Sequence, residues 1–322
     1  MTYSTNEIIE AVDYNAIVGA NTTTNVNEFN TVWGIGSGNK GYGQTPIQLV
    51  NQYTEVNANS WSSLFSSVAN SAIHQGTAYT TMSTPAVGGT ITFQTGLVNN
   101  VTAVYDNRLN ASAQGSTSAN TVTRSGTWSD TVTFTQTVTF QSGDKARYFF
   151  NAGGQLAITL DTPSGSRADG VFYAMAQAAG TIVLSGHTSG VVSIAGTEYT
   201  GISKIGGSTS GVVTYNQNLG YFGLTTVDQE VYRQGGVTAY HGYVNSYISI
   251  SMKTNGTQGS NGDNGNVITI TTVWKEVPTG IPVASGTNVT VTVRPPSTAR
   301  LTNSWGSVGA GTITLAGSVT GS

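Results

Sequence analysis

The sequence predicts a mainly β chain with a helical N-terminal part (α+β), its C-terminal region folded as an antiparallel β-sandwich. Three observations lead there. In Thr131–Phe140, threonines alternate with Val132, Phe134, Val138 and Phe140, the period of two of a half-buried strand. Further short strand-like runs follow, punctuated by Ala152-Gly153-Gly154, Thr162-Pro163-Ser164-Gly165 and Asn261-Gly262-Asp263-Asn264-Gly265. That pattern suits a sandwich better than alternating βαβ units. Near the N-terminus, Trp61, Leu64, Phe65, Val68, Ala69, Ala72 and Ile73 follow helical spacing instead.

Taken in order, residues 1–82 form a helix-and-loop region. Thr5 or Asn6 can cap a short helix that places Ile8, Ile9, Val12 and Ala16 on one face, with Glu7 and Glu10 in its first turn. Asn57, Asn59 or Ser60 can cap the helix that carries Trp61. Residues 83–125 read as a connector. Leu97, Val101, Val104, Tyr105 and Leu109 give it one helix, and Ser112–Ser125 is a polar linker. Residues 126–322 are the β-rich region, with room for two sub-modules. Besides Thr131–Phe140, its expected strands are Arg147–Phe150, Gln155–Leu160, Thr181–Leu184, Val191–Ile194, Gly211–Tyr215, Tyr243–Met252, Asn266–Trp274, Asn288–Val293 and Thr312–Leu315. Val171–Ala179 interrupts them as a short helix. No fixed repeat period marks a solenoid or propeller.

Composition narrows the function classes. Only 8% of residues are charged, against 38% hydrophobic and 9% aromatic. A free domain ordinarily carries about a quarter charged residues. A polar, uncharged coat suits a protein that works outside the cell or among copies of itself. Cysteine is absent, which excludes thiol catalysis and Cys-ligated zinc or iron–sulfur centres. The net charge of −3 and the lack of a basic run argue against nucleic acid as a partner. No apolar run is long enough to span a membrane, and no basic-then-apolar leader is expected at the N-terminus.

Motifs that carry chemistry are few. Gly36-Ser37-Gly38-Asn39-Lys40-Gly41 satisfies G-x-G-x-x-G, but Tyr42-Gly43-Gln44-Thr45-Pro46 follows where a phosphate-binding motif needs a helix. A structural loop is the expectation. His74, His187 and His241 lie far apart with no metal-ligand spacing. His74 ends its helix, where it would favour the C-terminal dipole. Asp228 and Glu230 read as a solvated strand end rather than a glycosidase pair. Asp263 lacks the further carboxylates of a calcium loop, and no G-x-S-x-G elbow exists. The reading is a non-enzyme with no cofactor and no metal.

Several phrases, in the same order over most of the chain, resemble virion structural proteins of tailed bacteriophages, especially of marine and cyanobacterial phages. They are Ala11–Gly19, Val32–Gly38, Lys40–Gln44, Trp61 with Leu64, His74–Thr77, Asn107–Leu109, Lys145–Gly154, Arg294–Thr298 and Leu301–Gly306. The resemblance implies a tail, baseplate or fibre component used in many copies, a trimer or hexamer, carried in the virion after synthesis in the host cytoplasm. Its implied partners are copies of itself and neighbouring virion proteins. On this reading residues 1–82 anchor the chain to the particle through Trp33, the Gly34–Gln44 loop including Tyr42, and the face Trp61, Leu64, Phe65 and Val68. Removal of residues 1–82 should then leave a soluble β fragment. A second reading is a receptor-binding adhesin in which Tyr221 and Tyr232, within the tyrosine-dense stretch 215–247, contact host surface glycan. A capsid-decorating protein is a third.

Overall fold

The computed structural model describes residues 11–19, 28–51, 56–83, 94–110, 117–165, 167–186, 192–194, 197–236, 245–256, 265–277, 280–308 and 313–321. His187, His241, Asp263 and the start of the helix expected from Thr5 or Asn6, with Ile8 and Ile9, lie outside these residues. Of its expected apolar face Val12 and Ala16 are described, and both are exposed, whereas Tyr14, Ile17 and Val18 are buried. The helices are α1 (Ala11–Val18), α2 (Asn30–Trp33), α3 (Ala58–Gln75), α4 (Gln94–Asp106), α5 (Gly143–Asn151) and α6 (Arg167–Ala179). The strands are β1 (Ser118–Thr123), β2 (Thr131–Phe140), β3 (Gln155–Asp161), β4 (Thr181–Leu184), β5 (Val192–Ile194), β6 (Thr197–Tyr199) and β7 (Ile202–Ile205). They continue with β8 (Val212–Tyr215), β9 (Gln229–Gly235), β10 (Tyr247–Thr254), β11 (Val267–Lys275), β12 (Asn288–Arg294) and β13 (Ile313–Gly321).

Among the described residues the strands pair antiparallel throughout, with one isolated parallel bridge between Val308 and Ile313. One sheet runs β1-β12-β3-β4-β7 and the other β13-β2-β11-β10-β9-β8, with β5-β6 a separate two-stranded pair. The alternation seen in the sequence sets their inner faces. Val132, Phe134, Val138 and Phe140 of β2 are buried beside Trp274 and Ile268 of the neighbouring β11. Opposite them lie Val289, Val291 and Val293 of β12, aligned with Leu160, Ile158 and Leu156 of β3. Each fully buried aliphatic side chain contributes about 1.5–3 kcal/mol. One polar side chain spans the layers: Gln136 Nε2 donates to Asn120 O at 3.1 Å and Val289 O at 3.3 Å, in the opposite sheet. Helix α6 packs on β3, β9 and β10, and its Phe172 ring meets Trp128 and Trp274. The expected sandwich is therefore present.

Helix α2 and strands β6, β7 and β9 were not among the expected elements, and three further elements differ from expectation. Arg147–Phe150 is not a strand but the middle of α5. Ser142 caps that helix by accepting from Lys145 N–H at 3.2 Å, Asp144 sits in its first turn, and Ala146, Phe149 and Phe150 share its buried face. Adjacent aromatics that do not alternate carry no period-two signal, so the aromatic run misleads. Within the expected linker, residues 118–123 form β1, an edge strand on β12. Val122 is its one large apolar residue, too few for a visible period. The helix expected at Val171–Ala179 begins earlier, at Arg167.

The N-terminal helices are not a separate module. A single core runs from Tyr14 through Trp61 and Val104 to Phe149, Ile250 and Ile313. Removal of residues 1–82 would strip one side of that core rather than release a finished β fragment.

Candidate functional site

The residues marked for particle anchoring are interior. Trp61, Leu64, Phe65 and Val68 form the inner face of α3, where Trp61 meets Tyr14 edge-on at 5.1 Å. Asn57 is the N-cap of that helix, accepting from Ser60 N–H at 3.0 Å. Trp33 donates from Nε1 to Thr45 O at 2.8 Å and stacks on Phe29. Tyr42 is fully buried. Their apolar area is covered by this chain, so these side chains cannot face a neighbour in the folded protein. The two tyrosines marked for glycan are equally enclosed. Tyr221 stacks on Phe150 at 4.1 Å and donates to Gly265 O, while Tyr232 donates to Gln234 Oε1 at 2.7 Å. Asp228 and Glu230 do not converge: Asp228 pairs with Lys253 at 2.9 Å, and Glu230 with Arg233 and Thr214.

What the fold does bring together is the glycine-rich loop 34–44 and α5. Arg147 is 2% exposed. Its Nη1 donates to Lys40 O at 2.6 Å, its Nη2 to Ile35 O at 2.9 Å, and its Nη2 also pairs with Asp144 Oδ1 at 2.8 Å. One turn on, Asn151 Nδ2 donates to Lys40 O at 2.9 Å and Gly41 O at 3.0 Å. A phosphate-binding glycine loop turns its N–H groups inward. Here the carbonyls turn inward, onto a guanidinium and an amide, so the loop is a cation cradle filled by the chain itself. Two glycines make this possible. At Gly41 (φ 93°) a Cβ would lie 1.9 Å from Ile35 O, and at Gly43 (φ 66°) 2.3 Å from the Tyr148 ring.

Three further segments close on the same loop. Tyr42 Oη donates to Arg108 O at 2.7 Å and accepts from Gln75 Nε2 at 2.6 Å. Arg108 Nε donates to Asn39 O at 3.1 Å. Gln44 and Thr302 exchange two hydrogen bonds, Gln44 Nε2 to Thr302 O at 2.9 Å and Thr302 N to Gln44 Oε1 at 2.8 Å. Ser304 Oγ donates to Tyr42 O at 2.6 Å, and Lys145 Nζ donates to Ser304 O. His74 lies against Ala152, its Nε2 2.9 Å from the carbonyl oxygen. No family model, curated protein or solved structure matches the chain.

The electrostatics follow from burial. Enclosure pushes the Tyr42 phenol far above its usual range, so it stays protonated. Burial, and then the Arg108 guanidinium, pull the Lys40 ammonium down. Burial holds His74 below its ordinary value although the bond to Ala152 opposes this, so it is a buried neutral ring rather than a dipole-facing cation. Among the described residues no three His, Asp or Glu side chains gather where they could hold a metal. No described helix is long and apolar enough to cross a membrane. Chemically the arrangement fastens five distant segments of the chain. Sequence reasoning missed Arg147, Asn151, Arg108, Gln75 and Ser304 as its members. The available signal was that four of the other quoted phrases carry them.

Proposed function

We propose that this chain is a structural component of a phage virion, in the tail, baseplate or fibre region and present in multiple copies. One observation carries the proposal. Six of the nine phrases that resemble virion proteins, scattered from Val32 to Gly306, meet in space as the clasp around loop 34–44. Shared phrases that make the same interlocking hydrogen bonds point to a shared architecture rather than to a common surface epitope. The low charge, 8% of residues, supports the same reading, since hydroxyls and amides are cheaper to bury between subunits than lone charges.

The anchoring surface has to be sought elsewhere than Trp33, Tyr42, Trp61, Leu64, Phe65 and Val68, because all six are interior. No observation favours glycan recognition by Tyr221 or Tyr232. The test is to purify tailed particles from the phage that encodes this chain and to quantify its peptides against the major capsid protein. The expectation is a fixed stoichiometry of several copies per particle, retained by isolated tails. Absence from purified particles, or residence on tailless heads alone, would overturn the proposal.

A further inference from the structure

The sandwich treats its two flanks differently. On one flank the sheets end in β7 and β8, each four residues long. Strand β7 carries Lys204, and β8 pairs with β9 through a shifted register. Short, charged and bulged edges are the usual devices that stop a sheet from accepting another strand.

The opposite flank lacks all three. It ends in β1 and β13. Strand β13 is nine residues long and follows β2 without a register shift. Neither β1 nor β13 contains a charged residue or a proline, and no charge occurs after Arg300. Ile313 meets Val308 in an isolated bridge. From Thr314 onward the outer edge of β13 has no backbone partner among the described residues, and Thr314, Ala316, Gly317, Ser318 and Thr320 are exposed. Ala119, Thr121 and Thr123 of β1 are exposed as well.

These two open edges are also aligned with each other. Gly317 lies at the middle of the open stretch and faces the middle of β1. A Cβ on it would fall 2.3 Å from Val122 Cγ2 and 3.3 Å from Asn120 Oδ1. Two identical antiparallel strands are related by a twofold axis perpendicular to their sheet. The layers of an aligned sandwich lie nearly parallel, so an axis normal to one is close to normal to the other. One axis beside Gly317 and Thr121 therefore serves both layers.

We propose that this flank joins two copies of the chain, β13 pairing antiparallel with β13 and β1 with β1, so that both sheets continue from one copy into the next. With β1 and β13 engaged, each copy buries roughly 600 Å², at the small end of stable interfaces. Hexamers of dihedral symmetry contain such twofold contacts, whereas a simple trimer contains none. The inference stands on edge geometry and does not depend on the virion reading.

The experiment uses the full chain at about 100 µM, where an interface of this size is populated, with mass read by sedimentation equilibrium. The expected species is twice the 33.3 kDa protomer or an even multiple of it. Ser318→Lys sets two ammonium groups beside the axis on an exposed position. It should halve the mass of a dimer, or break a larger assembly, with melting temperature and far-UV circular dichroism unchanged. Because the protein has no cysteine, Ser318→Cys should cross-link to a dimer with a short bis-maleimide, while Val227→Cys, exposed and outside these strands, should not. A monomeric wild-type protein, an odd-numbered assembly, an assembly that Ser318→Lys leaves intact, or failure of Ser318→Cys to cross-link would each overturn the proposal.

Discussion

Arg147 has to satisfy a full guanidinium away from water, and the loop carbonyls of Ile35 and Lys40 together with Asp144 do so. Replacement by Met leaves Ile35 O without this donor in the interior. Arg147→Met should cost about 3 kcal/mol in urea unfolding, and Arg147→Lys less, since an ammonium reaches only part of the fork. His74 gives a pH signature. Its folded value lies below its ordinary 6.5, so between those two values the unfolded chain binds the extra proton. The stability this group contributes is complete above about pH 6.5 and declines as pH falls toward the folded value. His74→Gln should flatten that part of a stability-against-pH curve. Glu276 acts in the opposite sense, because burial raises its carboxyl above 4.5; the stability it contributes is present in acid and declines as pH rises through the raised value. Tyr221, which the adhesin reading would place at a surface, lies in the core, so Tyr221→Ala should lower stability by about 3–5 kcal/mol in thermal unfolding.

Helix α3 was legible from its own residues because Trp61, Leu64, Phe65, Val68 and Ala72 recur at helical spacing on its buried face and Asn57 supplies the cap, although Ser67, Ser71 and His74 share that face and Ile73 is exposed. Strands β2 and β11 were legible because each buries one face fully and leaves the other half-buried. Legibility fails where partners rather than periodicity decide. Strand β1 has a single valine turned to the core and is held by β12, a partner about 170 residues away. Helix α5 shows a capping serine and a first-turn aspartate, but its run of three aromatics imitates a strand. Ser142→Ala should therefore cost about 1 kcal/mol, measured by chemical denaturation. The clasp was the least legible part. Backbone carbonyls accept most of its hydrogen bonds, and a carbonyl leaves no mark on residue type. Gly36, Gly41 and Gly43, where a side chain would collide, hint at the close approach.

At the scale of the whole molecule, the single core predicts the behaviour of fragments. A chain beginning at residue 83 loses α3, the helix packed on α4, and with it part of the shared core, so it should elute as aggregate in gel filtration; a monodisperse, folded fragment would contradict a continuous core. The reach of the clasp also sets an order of events. Gln44 binds Thr302, a separation of 258 residues, and β2 finds its outer neighbour only in β13. Loop closure over such distances is slow and cannot begin before the distal strand exists. While the ribosome is still making the C-terminal tenth of the protein, the glycine loop lacks Thr302 and Ser304, and β2 lacks its outer neighbour β13. Nascent chains stopped after Arg300 should stay sensitive to protease along their length, and protection should arrive in one step once residues 301–321 have emerged.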